Sequence, residues 1–271
     1  MKESESFYKP DFRYAYLLSI VIAVLFTGTS LAGLLFRTAV YLTQEAQRAF
    51  VSNDVVNLFL GLPVLLAAMW FTRQGKLYGQ LFWPGALFFI TYNAIAYSIG
   101  NAFSWLTFIY LAQVLLSITA IILILSQLFF PQIGEHLKGK VKERLCGAVL
   151  VGLGSLFFIR SAAQLVGTFF GQATLSPPEL GVLLADMLTT PFWVAGGILL
   201  WRKHALGYAG GAGLLFQSSM LFVGLLVFFL LQPLVAGVPF PFEDFVVIAV
   251  MGLVCFIPFG LFARGILRRS I

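Results

Sequence analysis

The sequence predicts an all-α fold, a polytopic transmembrane helix bundle of about eight spans, and three observations carry that expectation. The 271 residues are 60% hydrophobic and only 10% charged, whereas a soluble domain carries about 25% charged residues. Apolar stretches of about 20 residues recur, the length an α-helix needs to cross the hydrocarbon core. The period-2 alternation over about ten residues that marks a membrane β-barrel is not seen. Lipid offers the backbone no hydrogen-bond partner, so each span must close its own bonds as a helix. The mean hydropathy of +0.94 agrees. The chain reads as a single integral membrane domain over 1–271.

The first span is expected at 14–36. It follows a short polar segment of mixed charge and is longer than the apolar core of a cleaved signal, so it stays as a membrane helix. The segment RTAVYLTQEAQRAFVS at 37–52 is amphipathic, with Glu45 and Arg48 one turn apart. It is expected on the outer surface or as an extension of the first span, a lid over an outer pocket being its functional alternative. The second span, 55–72, is the shortest and has the least defined start. The remaining spans are expected at 77–100, 106–130, 146–171, 180–201, 208–231 and 245–263. Trp70, Trp83, Trp105 and Trp201 fall near span ends, where interfacial aromatics anchor helices. Cys146 and Cys255 show no metal-ligand or redox spacing and read as helix-packing residues.

Charge sets the expected orientation. Lys and Arg gather in alternate connections: Lys2, Lys9 and Arg13; Arg73 and Lys76; Lys138, Lys140, Lys142 and Arg144; Arg202 and Lys203; Arg264, Arg268 and Arg269. The opposite connections hold Arg37 and Arg48 in one and no Lys or Arg in the others, and the last ends on Glu243 and Asp244. The positive-inside rule then puts both termini in the cytoplasm, in an inner or plasma membrane. This topology also accounts for the net charge of +6 without nucleic acid. The basic face is expected to meet anionic lipid head groups of the bilayer.

The two halves, 1–131 and 132–271, show a loose parallel 4+4 correspondence. Pro63, Arg73, Leu77, Gly85 and Phe88 recur about 128 residues later as Pro191, Arg202, Leu206, Gly213 and Phe216. Duplication is one reading, and transporters built that way place their sites between the halves. The other is that Leu, Phe and Gly dominate any apolar helix.

Arg160 stands alone in an apolar run, and the next span carries Asp186. An ionisable side chain at membrane depth costs about 2.5–3.5 kcal/mol on insertion scales and marks a candidate site. At a rise of about 1.5 Å per residue, both lie about 21–22 Å above the cytoplasmic ends of their spans, which is compatible with an ion pair. Asp54, Asn57, Asn93, Tyr97, Gln164 and Thr189 fall in the same outer half and share helix faces at i, i+3 or i, i+4 spacing. These eight are the candidate ligand-binding residues. The bland alternatives are an Arg–Asp brace, an N-cap role for Asp54, and ordinary polar packing between helices.

Two functional classes remain. The first is binding or transport of a small polar or anionic solute in an outer-half cavity, with Arg160 as anion anchor. The second is an integral-membrane enzyme acting on a lipid-like substrate, with Asp54 and Asp186 as acid–base groups; a structural membrane subunit is the third and blandest. No metal and no cofactor are expected. His136 and His204 lie in basic loops, no Lys lies within a span, and no P-loop is present.

Overall fold

The computed structural model describes residues 11–171 and 174–267. Lys2, Lys9, Arg268 and Arg269, counted among the basic flanks, lie outside the described residues. The chain is all-helical, with no strand among the described residues. In order, the helices are α1 (Arg13–Leu35), α2 (Arg37–Val40), α3 (Gln44–Val56), α4 (Leu62–Arg73), α5 (Leu77–Gly100) and α6 (Trp105–Ser126). They continue as α7 (Phe130–Leu137), α8 (Glu143–Phe169), α9 (Pro177–Trp201), α10 (Ala205–Leu231) and α11 (Phe242–Leu267). A π-helical turn, Asn57–Gly61, joins α3 to α4 without a break, and a second, Gln232–Ala236, closes α10.

Among the described residues, seven helical rods are long and apolar enough to cross a membrane: α1, Gln44–Arg73, α6, α8, α9, Ala205–Ala236 and α11. The protein is a multi-pass membrane protein. The helix expected as the third span, α5, forms over the residues anticipated but is not among the seven. Its sequence carries Gln80, Thr91, Asn93 and Ser98 among its apolar residues, and most of it is buried. It packs against α4, α6, α9 and α10. A helix enclosed by other helices needs polar partners and small residues more than a lipid-facing apolar coat.

Segment 37–52 differs from expectation. It does not extend α1; residues 37–39 and 42–45 are exposed, and after a short turn at α2 the segment becomes the front of the second membrane-length rod, which runs for 30 residues to Arg73. Thr43 sets the start, its hydroxyl accepting from the Ala46 N–H at 3.1 Å. Ala46, Phe50 and Val51 are buried, so the segment has an apolar face to bury. Asp54 is therefore deep inside a helix and is not an N-cap. Trp83 also departs from its expected interfacial place. It is fully buried beside Phe12 and Tyr16, and its indole N–H donates to Ser19 Oγ at 3.1 Å. Trp70, Trp105 and Trp201 are exposed at helix ends.

The two halves meet at glycines. A Cβ on Gly85 of α5 would collide with the carbonyl oxygen of Gly213 on α10, so the two backbones touch. Next to this crossing, Phe82 and Phe216 stack with ring centroids 4.8 Å apart. The basic connections share one end of the bundle. Asp11 N–H donates to Gln127 Oε1, Tyr208 donates to Glu143 Oε1, and Gly265 lies against the Lys140 carbonyl.

Candidate ligand cavity

Six helices line an open cavity of about 690 Å³ in the half of the bundle away from the basic connections. Along α9 its lining runs from Pro178 to Trp193, fifteen residues, or about 22 Å at helical rise. A capping box fixes where α9 begins. The Ser176 hydroxyl accepts from the Glu179 N–H at 3.4 Å, and the Glu179 carboxylate accepts from the Ser176 N–H at 2.8 Å. Pro177 then fills the first helical position, where a missing N–H costs nothing.

The walls are graded. The half away from the basic connections carries all the charged and amide side chains, Asn53 on α3, Asn93 on α5, Arg160 on α8, Asp186 on α9 and Asp244 on α11, with Tyr97, and also apolar Phe50, Pro178, Phe228 and Phe229. The inner end is apolar and aromatic, with Phe89, Phe157, Trp193, Phe222 and Met251. Trp193 is held there by its indole N–H, which donates to Gln217 Oε1 at 2.6 Å.

Asp186 is buried and both its oxygens are engaged. The Tyr92 hydroxyl donates to Oδ1 at 2.9 Å and the Ser161 hydroxyl donates to Oδ2 at 3.3 Å. The expected Arg160–Asp186 ion pair is not formed. Arg160 is close enough to act electrostatically on Asp186 and Tyr92, yet its guanidinium makes no hydrogen bond or ion pair among the described residues. It is exposed at the cavity wall. Five planar donors on a membrane-depth cation without a protein acceptor suit a carboxylate or phosphate.

Asn53 ties the α3 wall to α5, its amide donating to Asn93 Oδ1 at 2.9 Å and to the Tyr97 hydroxyl at 3.1 Å. Asn93 in turn donates to its own helix at the Phe89 carbonyl, 2.9 Å away. Behind Tyr97 lies a second polar cluster. Asp54 accepts from the Tyr41 hydroxyl at 2.6 Å and the Tyr97 hydroxyl at 3.0 Å, and Ser30 also reaches it. Burial pushes the Tyr41 phenol well above its ordinary range, so it stays a proton donor. Gly33 makes room for this pair, since a Cβ there would collide with both Asp54 Oδ2 and the Tyr41 hydroxyl. Asn57, from the π-helical turn, donates weakly to Tyr97 at 3.4 Å and faces a water-sized hollow beside Thr29, Tyr110 and Gln113.

Of the eight sequence candidates, the fold brings Arg160, Asp186, Asn93 and Tyr97 to one cavity. Asp54 and Asn57 sit on the other side of Tyr97, toward α1 and α6. Thr189 is turned to its own helix, donating to the Ala185 carbonyl at 2.7 Å. Gln164 is exposed and does not line the cavity, because α8 presents Leu156, Phe157 and Arg160 to it. The two carboxylates of the enzymatic reading do not share a pocket: Asp186 lines the cavity and Asp54 does not. Helix depth puts Tyr92 in the same outer polar layer, though not among the eight candidates, and sequence reasoning missed Ser161, Asn53, Trp193 and Asp244 as site residues. Tyr92 adjoins Asn93 and Asn53 adjoins Asp54, so neighbours of each candidate carried a signal. Asp244 looked like an ordinary outer-loop charge.

No family model matches the chain, and neither a curated protein nor a solved structure matches it.

Proposed function

We propose that the protein binds or transports a small solute with an anionic group, held in the 690 Å³ cavity with Arg160 as its anchor. One observation carries this reading: an unpaired, exposed guanidinium lines a cavity within the size range of ligand sites, about 300–1,000 Å³. A brace would have paired Arg160 with Asp186; instead Tyr92 and Ser161 satisfy that carboxylate and leave the cation to a ligand. Asp186 then shapes the cavity wall and sets the local field. Helices from both halves line the cavity, and the symmetric-looking Gly85–Gly213 contact supports the 4+4 reading of the sequence.

The same proposal includes eight passages. α5 is 24 residues long and runs antiparallel beside α4 and α6 through short connections, so it lies at the depth of its neighbours. An even number of passages puts both ends on one side. The basic connections make that side the cytoplasm of an inner or plasma membrane, with the polar end of the cavity outward. The test is solute binding by folded Arg160→Ala and Asp186→Ala proteins; unchanged binding in both removes the reading.

A further inference from the structure

The cavity lining is exposed along α8 and α11, and the side chains there point to the class of molecule it takes. Helices α8 and α11 are joined near the basic end, where Cys146 Sγ donates to the Pro258 carbonyl at 3.5 Å. Measured from that contact, Arg160 and Asp244 each stand fourteen residues away, about 21 Å along their helices. Leu156 and Val247 are at matching heights below them, ten and eleven residues from the contact. All four line the cavity, and all four are exposed, Leu156 at 50% and Val247 at 56%. Arg160 and Asp244 do not pair with each other among the described residues. The remainder of α11 faces outward with Val246, Val250, Leu253 and Val254, the surface a lipid-facing helix presents. At cavity level the facing parts of α8 and α11 thus present exposed lining, apolar at Leu156 and Val247 and charged at Arg160 and Asp244.

We propose that the cavity opens between α8 and α11 as a slot, a lateral portal from the bilayer, and that the ligand is a single-chain amphiphile with an anionic head group, carboxylate or phosphate. This rests on the solute-binding reading above and adds the ligand class and its route. The head pairs with Arg160 beside Asp186, and the chain lies along Phe157 and Phe222 toward Trp193. From the level of Asp186, beside Arg160, to Trp193 is seven residues of α9, about 10 Å, and that inner part of the cavity is wholly apolar and aromatic, which suits a hydrocarbon chain better than a water-borne polar solute. An apolar mouth lets a chain pass from lipid without crossing water. Asp244 across the slot disfavours a doubly engaged anion at the mouth and directs the head to the Arg160 side.

The experiment uses the full chain in nanodiscs, with saturable binding counted above protein-free nanodiscs. The probes are dodecanoate, dodecyl phosphate, methyl dodecanoate and butyrate. At least one of the two long-chain anions binds saturably, while methyl dodecanoate and butyrate bind about tenfold more weakly or not at all. Arg160→Gln weakens the long-chain anion by about tenfold and leaves the methyl ester unchanged. Val247→Trp, or Leu156→Trp from the opposite lip, slows uptake of the long-chain anion about tenfold by narrowing the slot. Thermal unfolding confirms that each variant is folded. Saturable butyrate binding that depends on Arg160, without long-chain preference, overturns the amphiphile and keeps the solute reading. Long-chain binding at an unchanged rate in both tryptophan variants overturns the portal. No saturable binding of any of the four overturns both.

Discussion

The Tyr92 hydroxyl donates to Asp186 Oδ1 at 2.9 Å, and this bond decides what Arg160 is for. A membrane-depth Arg beside an Asp reads first as an ion pair. Here a tyrosine from the central helix and Ser161 from α8 satisfy the carboxylate, and the guanidinium remains at the cavity wall.

Removing that hydroxyl leaves a buried carboxylate oxygen short of a partner. Tyr92→Phe lowers stability by about 1–3 kcal/mol, the cost of an unsatisfied buried polar group. Denaturation in detergent or nanodiscs measures it. Arg160→Gln removes no hydrogen bond and changes stability by about 0.5 kcal/mol or less. The contrast between the two variants separates a bracing residue from a binding one.

Gly33→Ala places a methyl group against Asp54 Oδ2 and the Tyr41 hydroxyl. The Tyr41–Asp54–Tyr97 cluster joins the segment after α1 to α3 and α5, so displacing one member loosens the wall that carries Asn53. Overpacking of this kind costs about 1–3 kcal/mol. A lowered unfolding midpoint checks it, with Gly28→Ala as comparison. Nothing lies within 4 Å of a Cβ at Gly28, and alanine there is neutral or stabilising because it favours helix.

Gly85→Ala sets a side chain against the Gly213 carbonyl, a backbone atom that cannot rotate away. The α5–α10 crossing has to open, and the expected loss is about 1–3 kcal/mol with a change in cavity shape. Ligand binding and the unfolding midpoint should fall together in this variant, unlike in Arg160→Gln.

Trp193→Phe keeps the aromatic inner end of the cavity but leaves Gln217 Oε1 without its donor. Gln217 Nε2 is already buried without a protein partner, so the side chain loses its remaining side-chain bond. Stability falls by about 1–3 kcal/mol. The double variant with Gln217→Leu recovers most of the loss, because removing both polar groups from an apolar site can be nearly neutral.

The helical fold was legible because apolar length alone dictates closed helices in lipid. The start of the second rod was not, since Asn53, Asp54 and Asn57 look like a boundary when their buried partners are unknown. Those partners, Tyr41, Asn93 and Tyr97, come from residues 13 to 44 positions away. Trp83 followed the same logic: its place in sequence resembles an interface anchor, and only the packing of α1 buries it. Arg160 and Asp186 were legible as charges in apolar runs and do share a cavity. Their failure to pair depends on helix rotation, which brings Tyr92 and Ser161 nearer, and helical periodicity alone does not fix that rotation. Gln164 and Thr189 share faces with them by spacing yet point elsewhere, for the same reason.

The central claim is that Arg160 is a ligand anchor and not a brace. Binding of dodecanoate or dodecyl phosphate and the unfolding midpoint, measured side by side on the full chain and on Arg160→Gln in nanodiscs, test it most directly. The account predicts a binding loss of about tenfold with an unchanged midpoint. A midpoint that falls sharply while long-chain anion binding stays intact would contradict it.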